Sequence, residues 1–217
     1  MPIYIQTIQL EAIDIFELRL DKWPFLLDHK HTQSIVALSK PLIITPRDVS
    51  EGGARKDWKF KDRHDLFFKF MPYATLIDIE ASTANSFGHV IKEAHLGGVG
   101  VIVSYHNFDE TPSYAEIICQ AEICRRSRGD VLKIAVKAGD YGDLAELYDA
   151  VHTITVTMKD RFPFKVSVMV MGEPFGQVSR FTDAFMGGPF VYSCLSGASV
   201  PGQPKASEVK QLLAKLR

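Results

Sequence analysis

The sequence predicts an α/β protein, a (β/α)8 TIM-type barrel whose first β/α unit is abbreviated. Three observations carry that prediction. Short β-rich runs alternate with longer stretches of helical period, the pattern of βαβ units and a parallel sheet. The strand candidates number eight, which suits a closed barrel better than an open sheet. Across 217 residues no Pro/Gly/Ser-rich linker, internal repeat or low-complexity stretch divides the chain, so 1–217 reads as one domain.

The weakest strand candidate comes first, over 3–8, and is followed by 13–21. Residues 9–12 are too few to hold a crossover helix between two parallel strands. Either the first strand joins by an unusually short connection, or 4–12 is the tail of a helix whose strand is missing; the sequence leaves both open. The remaining strands are expected over 41–47, 74–81, 98–107, 130–138, 164–172 and 190–198. Between and after them, helical periods run over 25–39, 60–70, 84–95, 113–126, 141–158, 178–186 and 206–216.

Within these strands one residue is out of place. Lys133 sits in Asp130-Val131-Leu132-Lys133-Ile134-Ala135-Val136, otherwise a run suited to a fully buried parallel strand. Burying an ammonium in an apolar strand favours its neutral form, and a neutral amine attacks carbonyl carbons. The alternative is a lysine at the strand's end with its amine in water. One strand earlier, Val101-Ile102-Val103-Ser104-Tyr105-His106 delivers an imidazole to the corresponding end. A lysine nucleophile and a histidine acid/base on neighbouring strands describe Schiff-base chemistry.

Polar residues at the C-terminal ends of barrel strands face the catalytic mouth, so they can be read together. They are Glu17 and Arg19, Arg47 with Glu51, Glu80, His106 and Lys133, joined by Met169 and Met171. Glu17 and Arg19 lie two apart and so share a face of their strand, where a structural ion pair is the plainer explanation.

Bulk properties narrow the function classes. At 46% hydrophobic and 24% charged residues the composition is that of an ordinary globular protein with a sizeable core. A formal net charge of −1 offers no electrostatic case for nucleic acid or a membrane surface. Cys119, Cys124 and Cys194 form no CxxC pair, which suggests reduced thiols in a reducing compartment. Met1-Pro2-Ile3-Tyr4-Ile5 lacks the basic start and long apolar stretch of a signal peptide, and no span suits a bilayer, so a cytoplasmic protein is expected.

Seven motifs in order resemble those of type I 3-dehydroquinate dehydratases. They are Phe16-Glu17-Leu18-Arg19-Leu20-Asp21, Ile43-Ile44-Thr45-Pro46-Arg47 with Glu51-Gly52-Gly53, Ile77-Asp78-Ile79-Glu80, and Ser104-Tyr105-His106-Asn107-Phe108 before Thr111-Pro112. Then come Leu132-Lys133-Ile134-Ala135, Met171-Gly172 leading to Ser179-Arg180, and Ser199-Val200-Pro201-Gly202-Gln203. They extend from about residue 13 to the C-terminus. Members of that family dehydrate 3-dehydroquinate to 3-dehydroshikimate, in the shikimate pathway of aromatic amino-acid biosynthesis, with no metal or organic cofactor. The resemblance implies that Lys133 forms an imine with the substrate ketone and that His106 moves the protons, oriented by Glu51. It implies Arg180 for the substrate carboxylate, Glu17, Arg19 and Arg47 as a polar floor for hydroxyls, and Ser199 and Gln203 on a closing loop. Met169, Met171 and Tyr192 fall where the family lines its pocket with apolar side chains, which ordinary packing explains equally well. The partner so implied is 3-dehydroquinate, with a homodimer as the common assembly among relatives.

Three departures stand against the family pattern. No Ser or Thr lies far enough upstream of Glu17 to match the usual ligand on the first strand, Thr7 being too close. The turn at 172–176 is one residue longer than usual before Ser179-Arg180, enough to displace Arg180. Val200 stands where alanine is commoner.

Other features are read as structure. His29-Lys30-His31 has no third ligand at metal spacing, and Gly97-Gly98-Val99-Gly100 precedes a strand rather than following one. Cys119 and Cys124, five apart on a predicted helix, are expected to be buried small apolars. Arg125, Arg126 and Arg128 gather at a helix C-terminus, which the macrodipole favours. Two other functions compete. A class I aldolase would share the lysine but need a phosphate or aldehyde pocket, and no glycine-rich phosphate loop follows the last strands. A non-catalytic dehydroquinate-binding relative would not need both Lys133 and His106.

Overall fold

Short apolar runs became a sheet and amphipathic stretches became its cover. The computed structural model describes residues 13–23, 40–194 and 203–215. Its strands are β1 (Phe16–Arg19), β2 (Leu42–Thr45), β3 (Leu76–Glu80), β4 (Gly100–Asn107), β5 (Val131–Lys137) and β6 (Lys165–Met171). All are parallel, and each pairs with its sequence neighbour in the order β1-β2-β3-β4-β5-β6. Helices α1 (Phe60–Phe70), α2 (Gly88–Leu96), α3 (Tyr114–Arg126) and α4 (Tyr141–His152) supply the crossovers from β2 to β6, and α5 (Phe175–Phe185) and α6 (Ala206–Lys215) follow. None of the described helices is long and apolar enough to cross a membrane.

The eightfold expectation is met in part, by a half-barrel of six strands. The expected strand 3–8 and helix 25–39, with His29 and His31, lie outside the described residues. Over 190–193 the expected last strand does not form. Among the described residues the only ladder contact there is an isolated bridge between Cys194 and Lys205, and the Phe190 carbonyl accepts from the Ser167 hydroxyl at 3.3 Å instead. The helix expected over 141–158 ends at His152 and closes with a π turn, Thr153–Thr157. Of the two helical cysteines, Cys124 is buried as expected but Cys119 is exposed, because five residues do not return to the same helical face.

Strand alternation sorts the sheet's two faces. Ile44, Ile77, Ile79, Val101, Val103, Leu132, Ile134, Val136 and Val168 point outward to the helices and share one core with Phe67, Phe70 and Phe87. Each such side chain, fully buried, contributes about 1.5–3 kcal/mol relative to exposure. The inner face changes character along the strands. At its N-terminal side Ile43, Ile102 and Val131 pack with Ile15, Leu76 and Phe190 as an apolar floor. Toward the C-terminal ends the same face presents Thr45, Asp78, Glu80, Ser104, Lys133 and Ser167, all buried. The polar cluster therefore stands on a hydrophobic floor, at the strand ends where barrel chemistry is housed.

Candidate active site

Strand register brings the lysine and the histidine together. Ser104 on β4 lies opposite Lys133 on β5, and His106 lies two residues further along β4, opposite Ala135. Parallel partners point the same way and residues two apart share a face, so Lys133 and His106 both project inward. Lys133 Nζ donates to Asp78 Oδ2 at 3.1 Å and to Glu17 Oε1 at 3.4 Å. Thr45 Oγ1 also donates to Glu17, at 3.0 Å.

These carboxylates correct the expectation of an uncharged amine. Burial alone would lower the Lys133 pKa, but the negative charges of Asp78 and Glu17 outweigh it, and the net shift is upward. The resting lysine is an ammonium. Asp78 is itself driven downward: burial disfavours its charge, yet Arg47 and Lys133 overcome that cost.

Arg47 lies beneath this pair, fully buried. Its guanidinium donates to Asp78 Oδ2 at 2.8 Å, to Ser104 Oγ at 2.6 Å and to Glu80 Oε1 at 3.2 Å. The Ser104 hydroxyl in turn donates to Asp78 Oδ1 at 2.6 Å. Glu80 also receives the Asp48 amide at 2.8 Å and a close contact from the Arg63 guanidinium of α1. Arg63 in turn donates to the Pro46 carbonyl and to Asp48, each at 2.8 Å. The two carboxylates of β3 thus anchor the turn that follows β2.

That turn carries Glu51. A 3-10 turn, Val49–Glu51, opens with the Asp48 side chain accepting from the Ser50 amide at 2.9 Å. It closes at Gly52 with φ of 83°, a left-handed conformation that a side chain would strain. A Cβ at Gly52 would also stand 2.7 Å from Phe108 Cζ, and one at Gly53 would stand 2.3 Å from the Arg47 carbonyl oxygen. Glu51 is thereby turned back to β4, where Oε2 accepts from the His106 amide at 3.1 Å and meets the ring Nδ1 at 2.9 Å. Its other oxygen accepts from Ser82 at 2.9 Å. The Phe108 ring stacks beside the imidazole, 6.3 Å between centroids and 15° between planes.

Electrostatics set the state of this pair. Burial, together with the positive charges of Arg47 and Lys133, holds the His106 pKa well below its ordinary value, so the imidazole is neutral. Burial and the nearby Glu80 charge push Glu51 up to about 7, against the opposing pull of Arg47 and the Ser82 hydrogen bond. An ionised Glu51 accepts the Nδ1 proton and leaves Nε2 as a free lone pair. The contact is a carboxylate–imidazole hydrogen bond rather than an ion pair.

The other expected residues fall at different depths. Arg19 does not pair with Glu17: it forks onto Asp21 with two bonds of 2.8 Å and reaches the Gly52 carbonyl at 3.2 Å. Arg180, on α5, is buried at the end of β6, where its Nη1 donates to the Val170 carbonyl at 3.1 Å and to that of Gly176. Gln203 stands half-buried just before α6, and its carbonyl lies 3.8 Å from Cys194 Sγ. Ser199 lies outside the described residues. Met169 and Met171, on β6, are buried. The residues missed are Asp78, Ser104, Ser82 and Thr45. Asp78 carried a readable signal, since it precedes Glu80 by two and shares its buried face.

The arrangement can present an amine and a neutral imidazole base to one small molecule, over a buried network of opposite charges. The family model for type I 3-dehydroquinase matches residues 4–217. The catabolic 3-dehydroquinate dehydratase of Acinetobacter baylyi is 33% identical over 212 residues, covering 92% of this chain and 75% of that protein. The 3-dehydroquinate dehydratase of Staphylococcus haemolyticus is 31% identical over 215 residues, with coverages of 93% and 85%. Among solved structures, the 3-dehydroquinate dehydratase from Aquifex aeolicus superposes with a TM-score of 0.80 at 27% identity, covering 95% of this chain and 92% of that one. The type I enzyme from Clostridium difficile, solved with covalently modified comenic acid, gives 0.81 at 25% identity, with coverages of 96% and 87%.

Proposed function

The chain belongs to the type I 3-dehydroquinase family, whose relatives are named 3-dehydroquinate dehydratases, and from that premise we propose that it dehydrates 3-dehydroquinate through an imine on Lys133. The observation that carries this reading is the shared inner face of Lys133 and His106, two residues apart in register on adjacent strands. Lys133 passes a proton to His106 and attacks the substrate ketone; the carbinolamine oxygen takes that proton back from His106 and leaves as water, giving the protonated imine. That cation withdraws electrons and acidifies the neighbouring C–H. His106 Nε2 removes the proton, and the electron pair expels the β-hydroxyl, to which His106 returns the proton as water leaves. Hydrolysis of the imine releases 3-dehydroshikimate and restores the amine.

Around that chemistry Glu51 holds the His106 tautomer. Glu17 and Arg19 receive hydroxyls, and Arg47 acts from below by fixing Asp78 and Glu80. Arg180 supplies the cation for the substrate carboxylate, and Ser199 and Gln203 belong to the loop that closes over it. No organic cofactor or metal enters this scheme, and 1–217 acts as one domain.

Borohydride treatment during turnover tests the covalent step. Intact-mass analysis is expected to find one reduced ligand per chain, and peptide mapping to place it on Lys133. Turnover with no trappable adduct would sink the imine. The pH profile gives a second check. Because Glu51 is half-protonated near pH 7, kcat/KM is expected to fall as pH drops through about 7, when the Nδ1 proton loses its anionic acceptor. In Glu51→Gln that acid limb should disappear at a lower plateau, and an unchanged limb would assign it to another group.

A further inference from the structure

Tyr192 lies on the stretch after α5 where no ladder forms, between the apolar floor and Lys133. Its ring is fixed from two sides. Phe190 meets it edge-on at 6.1 Å and 74°, and the Lys133 ammonium stands 4.2 Å from its centroid. Both contacts use the ring, and a phenylalanine would serve them equally. The hydroxyl is another matter: its oxygen is buried and has no hydrogen-bond partner among the described residues. Lys133 approaches the ring face and directs two of its three N–H donors to Asp78 and Glu17. A buried polar group left unmatched by the fold calls for an explanation, and an unfilled ligand contact is one.

We propose that the Tyr192 phenol is a further substrate contact, donating a hydrogen bond to the oxygen on the carbon that Lys133 attacks. This rests on the covalent reading above. The hydroxyl is carried on a ring already in van der Waals reach of the nucleophile, so an oxygen bonded to the attacked carbon falls within the phenol's radius. Burial keeps the phenol protonated, opposed only in part by the Lys133 charge and a weak, longer contact of that ammonium with the hydroxyl oxygen, so its O–H remains a donor. The bond polarises the carbonyl as the amine adds and holds the carbinolamine oxygen until it leaves as water.

Tyr192→Phe removes only the oxygen and tests this. With 3-dehydroquinate, kcat/KM is expected to fall roughly tenfold, the scale of one lost hydrogen bond, with slower borohydride trapping at Lys133. The thermal midpoint of the free protein should hold or rise, because an unmatched buried hydroxyl is gone. A kcat/KM within about twofold of the parent, or a lowered midpoint with unchanged kinetics, would overturn the proposal by showing a hydroxyl idle in catalysis or satisfied by the fold. Parent protein that turns over normally while Tyr192→Phe matches it defeats this contact alone. Parent protein that neither turns over nor traps defeats the covalent reading and this contact with it.

Discussion

Lys133→Ala is expected to lower kcat on the order of 10⁴-fold or more and to abolish the borohydride adduct, while the protein remains folded. The size follows from the chemistry. Without the imine, the proton His106 must remove is acidified only by a ketone, and no other described amine shares the inner face at that register. Survival of the fold follows from the network the lysine leaves behind. Asp78 keeps the Arg47 guanidinium at 2.8 Å and the Ser104 hydroxyl at 2.6 Å, so its charge stays compensated. Glu17 keeps Thr45. Unchanged far-UV circular dichroism with turnover lost is the expected pair of results. A folded variant that still dehydrates 3-dehydroquinate would mean that the elimination needs no covalent intermediate.

Charged residues inside apolar runs were legible because they violate the pattern around them. Lys133 within Val131–Lys137 is the clearest case, and His106 at the end of Gly100–Asn107 follows it. The five strands β2 to β6 fall inside the expected ranges because each is a short run rich in Val, Ile or Leu with helical period on either side. The stretch 190–193 has the composition of such a run and still forms no strand. Its residues are held by contacts no local pattern encodes: the Ser167 hydroxyl on the Phe190 carbonyl, and the Lys133 ammonium over Tyr192.

Partner choice was the illegible part. Arg19 and Glu17 share a strand face, yet Arg19 turns to Asp21 because a carboxylate two residues on, beside the Gly52 carbonyl, offers a bidentate seat. The charge on Lys133 depends on a carboxylate 55 residues earlier in the chain. Burial argued for a neutral amine, and two anions reversed the sign. Ser82, which steadies Glu51, is a residue of unremarkable type on a turn, visible only once the fold has brought it there.

Asp78→Asn is expected to destabilise the protein by about 3–5 kcal/mol, because it leaves buried cations without their shared anion. The amide keeps the shape and loses the charge. Arg47, always protonated, then depends on Glu80, and Lys133 depends on Glu17 at 3.4 Å. The pH dependence has a definite sign. Asp78 has a lowered folded-state pKa, so its stabilisation is fully present above the unfolded value of about 3.9 and is lost as pH falls toward the folded one. In urea unfolding the share of the gap between parent and variant that comes from the Asp78 charge should therefore be the same at pH 7 and at pH 5 and narrow only in stronger acid. The Glu51 titration, which the Asp78 charge helps to raise, adds a smaller change between those two pH values. Lys133 answers in the opposite sense. Its ammonium is held against burial chiefly by Asp78, so removing that charge lowers its pKa and frees the nucleophile at lower pH. The rate of borohydride trapping with 3-dehydroquinate should shift its rise toward acid in the variant, even as the fold weakens. A variant as stable as its parent would mean that the buried cations find other compensation, and an unshifted trapping profile would mean that Asp78 does not set the charge of the amine.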